Sequence, residues 1–242
     1  MSLSGELPYQ RVLLKLSGEA LADDSGAGLD PEKAAYIAQR VREVYELGIQ
    51  VAIVIGGGNL WRGEPAAKLG MDRSTADHMG MIATVMNGLA LQDAIERLGI
   101  VTRVQTAVEM NSIAEPYIRL RAIRHLEKGR VVILTGGIGS PYFTTDSAAA
   151  LRASEIHADV IVKATKVDGV YSADPMRNPD ARRYRRLDYQ QVLDQQLRVM
   201  DTTAFTLCQE NTMPIIVLDF WNPRDLVKAL SGDASVGTVI SG

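Results

Sequence analysis

The sequence predicts an α/β fold: a mainly parallel central sheet flanked by helices on both faces, in three layers. Three observations predict it. Short runs such as RVLLKL (Arg11–Leu16), VAIVI (51–55), VVIL (131–134) and VIVKA (160–164) are almost continuously apolar, as strands covered on both faces are. Helical stretches alternate with these runs, the pattern of repeated strand–helix–strand units. Glycine clusters and lysines stand at or just past several strand ends, where open parallel sheets take their ligands.

A chain of 242 residues with no internal repeat, linker or composition break reads as one α/β domain over 1–242. Its formal net charge of −3 argues against nucleic acid or a membrane surface as the main partner. Cys208 is the only cysteine, so no disulfide forms within the chain. The first residues, MSLSGELPYQ, lack the basic start and apolar stretch of a signal peptide, and no apolar run approaches the ~18 residues of a membrane span. A cytoplasmic protein is expected.

In chain order, Arg11–Leu16 is the first strand, and Lys15 near its end either meets an anion or snorkels to solvent. Ser17, Gly18 and Glu19 turn the chain, and Asp23, Asp24, Ser25, Gly26, Ala27 and Gly28 form a polar loop. Asp30-Pro31 is an N-cap followed by proline at the first helical position, opening a helix that runs to about Leu47 and stops at Gly48. Strand 51–55 leads into Gly56, Gly57 and Gly58, with Asn59, Leu60, Trp61 and Arg62 expected to open a helix. Such glycines let backbone N–H groups approach an anion, and Arg62 adds a forked cation suited to phosphate; the alternative is a tight turn without ligand.

Ser74-Thr75-Ala76-Asp77 suggests a capping box for a helix reaching Leu98. Its apolar positions, including Met79, Ile82, Val85, Met86 and Leu89, cover most of the circumference, so its own core or another subunit must bury it. Then come strand Thr102–Thr106, helix 117–128, strand 131–134, the glycine-rich stretch 135–146, helix 147–156, strand 160–164 carrying Lys163, and loop 165–175. The run RRYRR (182–186) reads as a solvated loop. Residues 187–211 read as largely helical with Asp201 as a cap, followed by strand 214–219, a short helix from Asn222-Pro223 and an edge strand at 238–240.

Several chemistries are excluded. There is no GxxxxGK[ST], and G-x-G-x-x-G fails at Trp61 and at Tyr142, so neither a P-loop nor a dinucleotide site is expected. His78, His125 and His157 are scattered, without zinc-ligand spacing. Two glycine bends, two strand lysines and Arg62 remain. That inventory suits phosphoryl transfer, which needs alignment and positive charge more than covalent help.

The blocks KLSGEAL (15–21), GGGNLWRG (56–63), DHMGM (77–81), FTTDSAA (143–149) and KATKVDGVYSADP (163–175) resemble the uridylate-kinase branch of the amino-acid-kinase family, in the family's order and over nearly the whole chain. The resemblance implies that fold and the reaction ATP + UMP to ADP + UDP in pyrimidine nucleotide biosynthesis, with Mg2+ carried on the ATP phosphates and no protein metal cage. It implies that Lys15, Leu16, Ser17, Gly18, Gly58 and Arg62 follow the ATP phosphates, and that Thr165, Tyr171 and Asp174 line the nucleoside of ATP. Gly57, Asp77, Ile138, Gly139, Ser140, Pro141, Tyr142, Phe143, Thr144 and Thr145 would take UMP. Lys15, Lys163 and Arg62 would carry the cationic chemistry, with Asp146 orienting the lysines. The amino-terminal half would serve mainly the acceptor and the carboxy-terminal half mainly ATP.

From the residues alone, Asp77 and Asp146 have a second reading as helix caps, Asp174-Pro175 as a turn, and Tyr171 and Cys208 as core positions. The resemblance further implies a homohexamer, with GTP activation through residues 23–28 and UTP inhibition. Here that loop has Ala27 where relatives often have a bulkier apolar residue, and Gln92 stands where some have arginine. Arg103 and Arg130 read as contacts for an effector triphosphate or as plain surface charge. Two rival readings belong to the same fold: a kinase of acyl-phosphate acceptors, against which DHMGM and GSPYFTTD speak, and a nucleotide-binding storage protein.

Overall fold

A computed structural model describes residues 7–175, 177–178 and 180–242. Residues 1–6, part of the stretch read above for a leader, lie outside the described residues, as do Met176 and Pro179. In chain order the elements are β1 (Arg11–Leu16), a 3-10 turn (Gly18–Leu21), α1 (Pro31–Tyr45), β2 (Gln50–Ile55), α2 (Gly63–Lys68), α3 (Arg73–Glu96), β3 (Thr102–Thr106), β4 (Glu115–Pro116), α4 (Arg119–Glu127) and β5 (Val131–Thr135). They continue with α5 (Thr145–Glu155), β6 (Val160–Thr165), β7 (Arg186–Asp188), α6 (Tyr189–Asp194), α7 (Thr202–Glu210), β8 (Ile215–Asp219), α8 (Asp225–Leu230) and β9 (Thr238–Ser241). The strands make one sheet in the order β4-β3-β5-β2-β1-β6-β8-β9-β7, parallel except for the β8–β9 pair.

Strand alternation divides the core into two layers. Val12, Leu14 and Leu16 join Ile53 and Ile55 against Ile37, Val41, Leu91, Ile95 and Leu226 on α1, α3 and α8. Leu13 joins Val54, Val132 and Ile161 against Ala122, Leu126, Ala149, Ala153, Phe205 and Cys208 on α4, α5 and α7. This is the three-layer arrangement expected from the double-sided apolar strands. Cys208 is fully buried, and burial pushes its thiol up to about 12, fitting an inert core residue.

Several local expectations are corrected. Residues 59–62 do not open a helix: Leu60 N and Trp61 N both bond Gly57 O in a single turn, and helix begins only at Gly63. The cap of α3 is Asp72, whose Oδ1 accepts from Thr75 N at 2.8 Å; the expected capping box at Ser74 is absent because Ser74 is already helical. Residues 187–211 are two short helices and an intervening loop, with Gln196 at φ +51°, and Arg186–Asp188 pairs with β9 as a strand. That pairing makes β7 the edge and places the expected edge strand inside the sheet. The helix expected at 117 starts at Arg119, because Tyr117 N bonds Thr106 O beside the β3–β4 pair. The long helix α3 is not buried all round in the single chain: ten of its 24 residues are buried, and Met79, Ile82 and Met86 are 37–52 % exposed as an apolar strip.

Candidate functional site

The sheet's register builds the centre of the site. Lys15 on β1 and Lys163 on β6 are direct partners. By strand alternation Lys15 shares the face of Leu13, and Lys163 that of Ile161, so both ammoniums point to the α5 side. There Asp146, the second residue of α5, lies between them: Oδ1 faces Lys15 Nζ at 2.5 Å and Oδ2 accepts from Lys163 Nζ at 2.9 Å. Lys163 Nζ also donates to Val199 O at 2.5 Å. Burial acts to raise the Asp146 pKa, but the two ammoniums outweigh it and hold the carboxyl below its ordinary value. One carboxylate between two lysines leaves a net positive centre at the strands' carboxyl ends.

Asp146 is not the cap of α5. That role belongs to Thr144, whose Oγ1 accepts from Asp146 N at 3.0 Å and from Ser147 N at 3.3 Å. Thr144 Oγ1 in turn donates to Asp201 Oδ2, and Asp201 caps α7 by accepting from Ala204 N at 2.9 Å. Asp201 is thus the expected cap and also ties the starts of α5 and α7 together.

The two chain reversals after β1 and β2 pack backbone against backbone. A Cβ on Gly18 would lie 2.6 Å from Gly58 N and 2.7 Å from Gly56 O, so only glycine permits this approach. One on Gly57 would meet Gly80 O and Ala83 Cβ of α3, each at 2.8 Å. Ser17 starts the 3-10 turn, its Oγ accepting from Glu19 N at 3.3 Å. Arg62 stands at the rim, its Nε donating to Gly58 O at 3.1 Å and its Nη2 paired with Glu19.

Separate cavities open at and beside this centre. One of about 140 Å³ is lined by Gly57, Trp61, Asp77, Thr84, Ile138, Ser140, Phe143 and Thr145. Another cavity, of about 310 Å³, is lined by Lys15, Leu16, Ser17, Lys163, Thr165, Lys166 and Trp221. It shares Lys163 and Thr165 with one of about 450 Å³ that also includes Tyr171, Asp174, Leu197 and Val199. Asp77 is not a cap; it pairs with Arg73 Nε at 2.9 Å and accepts from Tyr142 N at 2.9 Å, on the second glycine stretch. Gly139 N closes that stretch on Gly136 O at 3.0 Å, whereas Pro141 and Tyr142 do not line the small cavity, and Tyr142 is exposed. Tyr171 is half-buried, its OH donating to Asp168 Oδ1 at 2.6 Å. Among the described residues no group of three or more His, Cys, Asp or Glu is placed to hold a metal ion.

A family model described as the amino acid kinase family matches residues 10–219. The chain belongs to the amino acid kinase family. The chain is similar to the solved UMP kinase of Bacillus anthracis, at 42% identity over 97% of this chain and 96% of that one, with a TM-score of 0.93. It is similar to the UMP kinase of Ureaplasma parvum at 38% identity over 96% and 99%, TM-score 0.90, and to the uridylate kinase of Archaeoglobus fulgidus at 32% over 95% and 99%, TM-score 0.70.

The residues expected for regulation divide between two places. Loop 23–28 folds on Asp23, whose Oδ1 accepts from Ser25 N at 2.8 Å, and Gly28 N reaches Asn59 O at 3.1 Å beside the first glycine bend. Asp23, Asp24 and Gly26 line a cavity of about 500 Å³ with Lys33 and Arg62. Arg103 and Arg130 lie toward the other end of the sheet, linked through Glu115 and His125: Arg103 Nε is 3.7 Å from Glu115 Oε1, and Arg130 Nη1 is 3.0 Å from His125 Nδ1. Residue-by-residue reading missed Asn59, Thr84 and Asn87, which are buried beneath the bends. The available signal was two polar residues, Thr84 and Asn87, inside the otherwise apolar stretch 79–91 of α3.

Proposed function

We propose that this member of the amino acid kinase family is a UMP kinase, moving the γ-phosphoryl group of ATP to UMP to give UDP and ADP. One observation supports this most: a cavity lined by Lys15 and Lys163, whose ammoniums share Asp146, and a second cavity lined by the neighbouring Thr145 with Gly57 and Asp77, in a chain 42% identical to a UMP kinase over nearly its full length. An oxygen of the UMP phosphate attacks the γ-phosphorus as the bond to the β,γ-bridging oxygen breaks. Because a phosphate monoester is already largely dianionic at neutral pH, no general base is required. Lys15 and Lys163 meet the charge that develops on the transferred group, and Asp146 keeps both ammoniums aimed before substrate arrives. The N–H groups near Gly18 and Gly58 add to that field, and Arg62 exchanges Glu19 for a phosphate oxygen.

UMP occupies the smaller cavity, with Asp77 on its ribose, Gly57 at its phosphate end and residues 138–145 around it. ATP lies along Lys15, Leu16, Ser17, Gly18 and Gly58, with its nucleoside near Thr165, Tyr171 and Asp174. Both sides thus draw on residues from the two halves of a single domain. The Asp146 and Asp201 carboxylates are engaged by ammonium and hydroxyl donors, which suits a Mg2+ that travels on the ATP phosphates and offsets their charge. The strip Met79–Ile82–Met86 fits burial against another copy of the chain, in a hexamer controlled by GTP and UTP. Among the described residues no helix is long and apolar enough to cross a membrane, and the proposed place of action is the cytoplasm.

A coupled assay of ADP release with UMP, CMP and acetylglutamate as separate acceptors tests the reading. Turnover with UMP is expected; turnover only with acetylglutamate, or with none, overturns it. Asp77→Ala should weaken UMP binding about tenfold or more, as loss of a charged hydrogen-bond partner does, with ATP binding little changed. Unchanged UMP affinity by calorimetry would confine Asp77 to holding Arg73 and Tyr142.

A further inference from the structure

Both glycine bends rest on one helix face. Thr84 and Asn87 on α3 are three residues apart, hence on the same side of the helix, and are 3 % and 0 % exposed. Asn87 Nδ2 donates to Gly56 O at 2.7 Å and to Asn59 Oδ1 at 2.7 Å, holding the first bend from below. Thr84 Oγ1 donates to Met81 O at 2.6 Å and accepts from Gly136 N at 2.7 Å, holding the second. Gly136 opens the stretch that runs through Ile138 and Ser140 along the smaller cavity. Its buried N–H finds its acceptor in the Thr84 hydroxyl, and a buried donor without a partner is costly enough to move a loop.

We propose that Thr84 is a positioning residue for the acceptor nucleotide: its hydroxyl fixes the height of the second glycine bend over the cavity. The inference rests on the UMP-kinase reading and adds a residue to it. Thr84 also lines the smaller cavity, but its hydroxyl hydrogen is committed to Met81 O and a lone pair to Gly136 N, so the hydroxyl acts through the backbone of residues 136–140. Residues facing the ATP side do not depend on it. Its removal therefore acts on one substrate and spares the other, which general loosening of the core would not do.

The test uses the full chain with Thr84→Val, which keeps the shape and removes the hydroxyl, and Thr84→Ser, which keeps the hydroxyl. Each is assayed with UMP varied at saturating ATP and with ATP varied at saturating UMP, alongside thermal unfolding. Thr84→Val is expected to raise the KM for UMP about tenfold, equivalent to about 1.4 kcal/mol, and to leave the KM for ATP unchanged. Thr84→Ser is expected to restore the wild-type value. An unaltered KM for UMP in Thr84→Val, or both KM values rising together, overturns the inference while the UMP-kinase reading stands. A wild-type protein that does not phosphorylate UMP overturns the reading and this inference with it.

Discussion

Lys163→Met lowers the turnover number by a factor of about 10²–10³, the effect of losing one aligned donor to charge that develops in a transition state. UMP binding, titrated without ATP, stays close to wild type, because Lys163 lines the two cavities of about 310 and 450 Å³ and not the proposed acceptor cavity. The contrast between the two readouts is the point of the experiment. Methionine matches the length of the lysine stem and removes the ammonium, so packing along β6 is largely kept. Rapid-quench measurement of the chemical step shows whether transfer itself has slowed. A wild-type turnover number would remove Lys163 from the transfer and leave it as a prop for Val199 O.

Asp146→Asn is expected to act on both stability and rate. Asp146 and its two lysines are only 12–19 % exposed, and removing the shared counter-charge leaves two ammoniums facing one another. Breaking such a buried arrangement costs about 3 kcal/mol, readable as a lower urea midpoint near neutral pH. Turnover falls as well, because neither lysine is then held toward the transfer position. The pH dependence follows from the lowered pKa of Asp146, raised by burial but lowered further by Lys15 and then Lys163. Its ionised form is favoured in the folded state, so its contribution is complete above the unfolded value near 3.8 and is lost as pH falls through the lowered folded value. The stability gap between wild type and Asp146→Asn should therefore be constant around neutrality and narrow in that acid range. A gap that does not change there would mean that ionisation of Asp146 contributes nothing to folding.

Most of the sheet was legible because its strands are apolar on both sides and punctuated by glycine, a signal carried within six residues. Lys15 and Lys163 stood out for the same reason: a charge in such a run is conspicuous. What joins them was expected only through the family resemblance, since the β1–β6 register and the arrival of Asp146 between them are long-range facts that spacing does not carry. Local competition decided other cases. Asp72 outranks Ser74 as a cap because a carboxylate two positions earlier already accepts from Thr75 N. Asn59 belongs to a buried amide pair with Asn87, which holds the chain in a turn where spacing suggested helix. Arg186–Asp188 has almost no strand signal of its own and becomes a strand by lying beside β9.

The side-by-side register of Lys15 and Lys163 restricts how the chain can change length. Deleting or inserting one residue in β1 or β6 upstream of either lysine would rotate its amine into the aliphatic layer formed by Leu14, Ile53 and Val162. Homologues and engineered variants should therefore keep these two segments free of gaps and accommodate length variation in surface loops instead, a pattern that can be read from any set of aligned relatives.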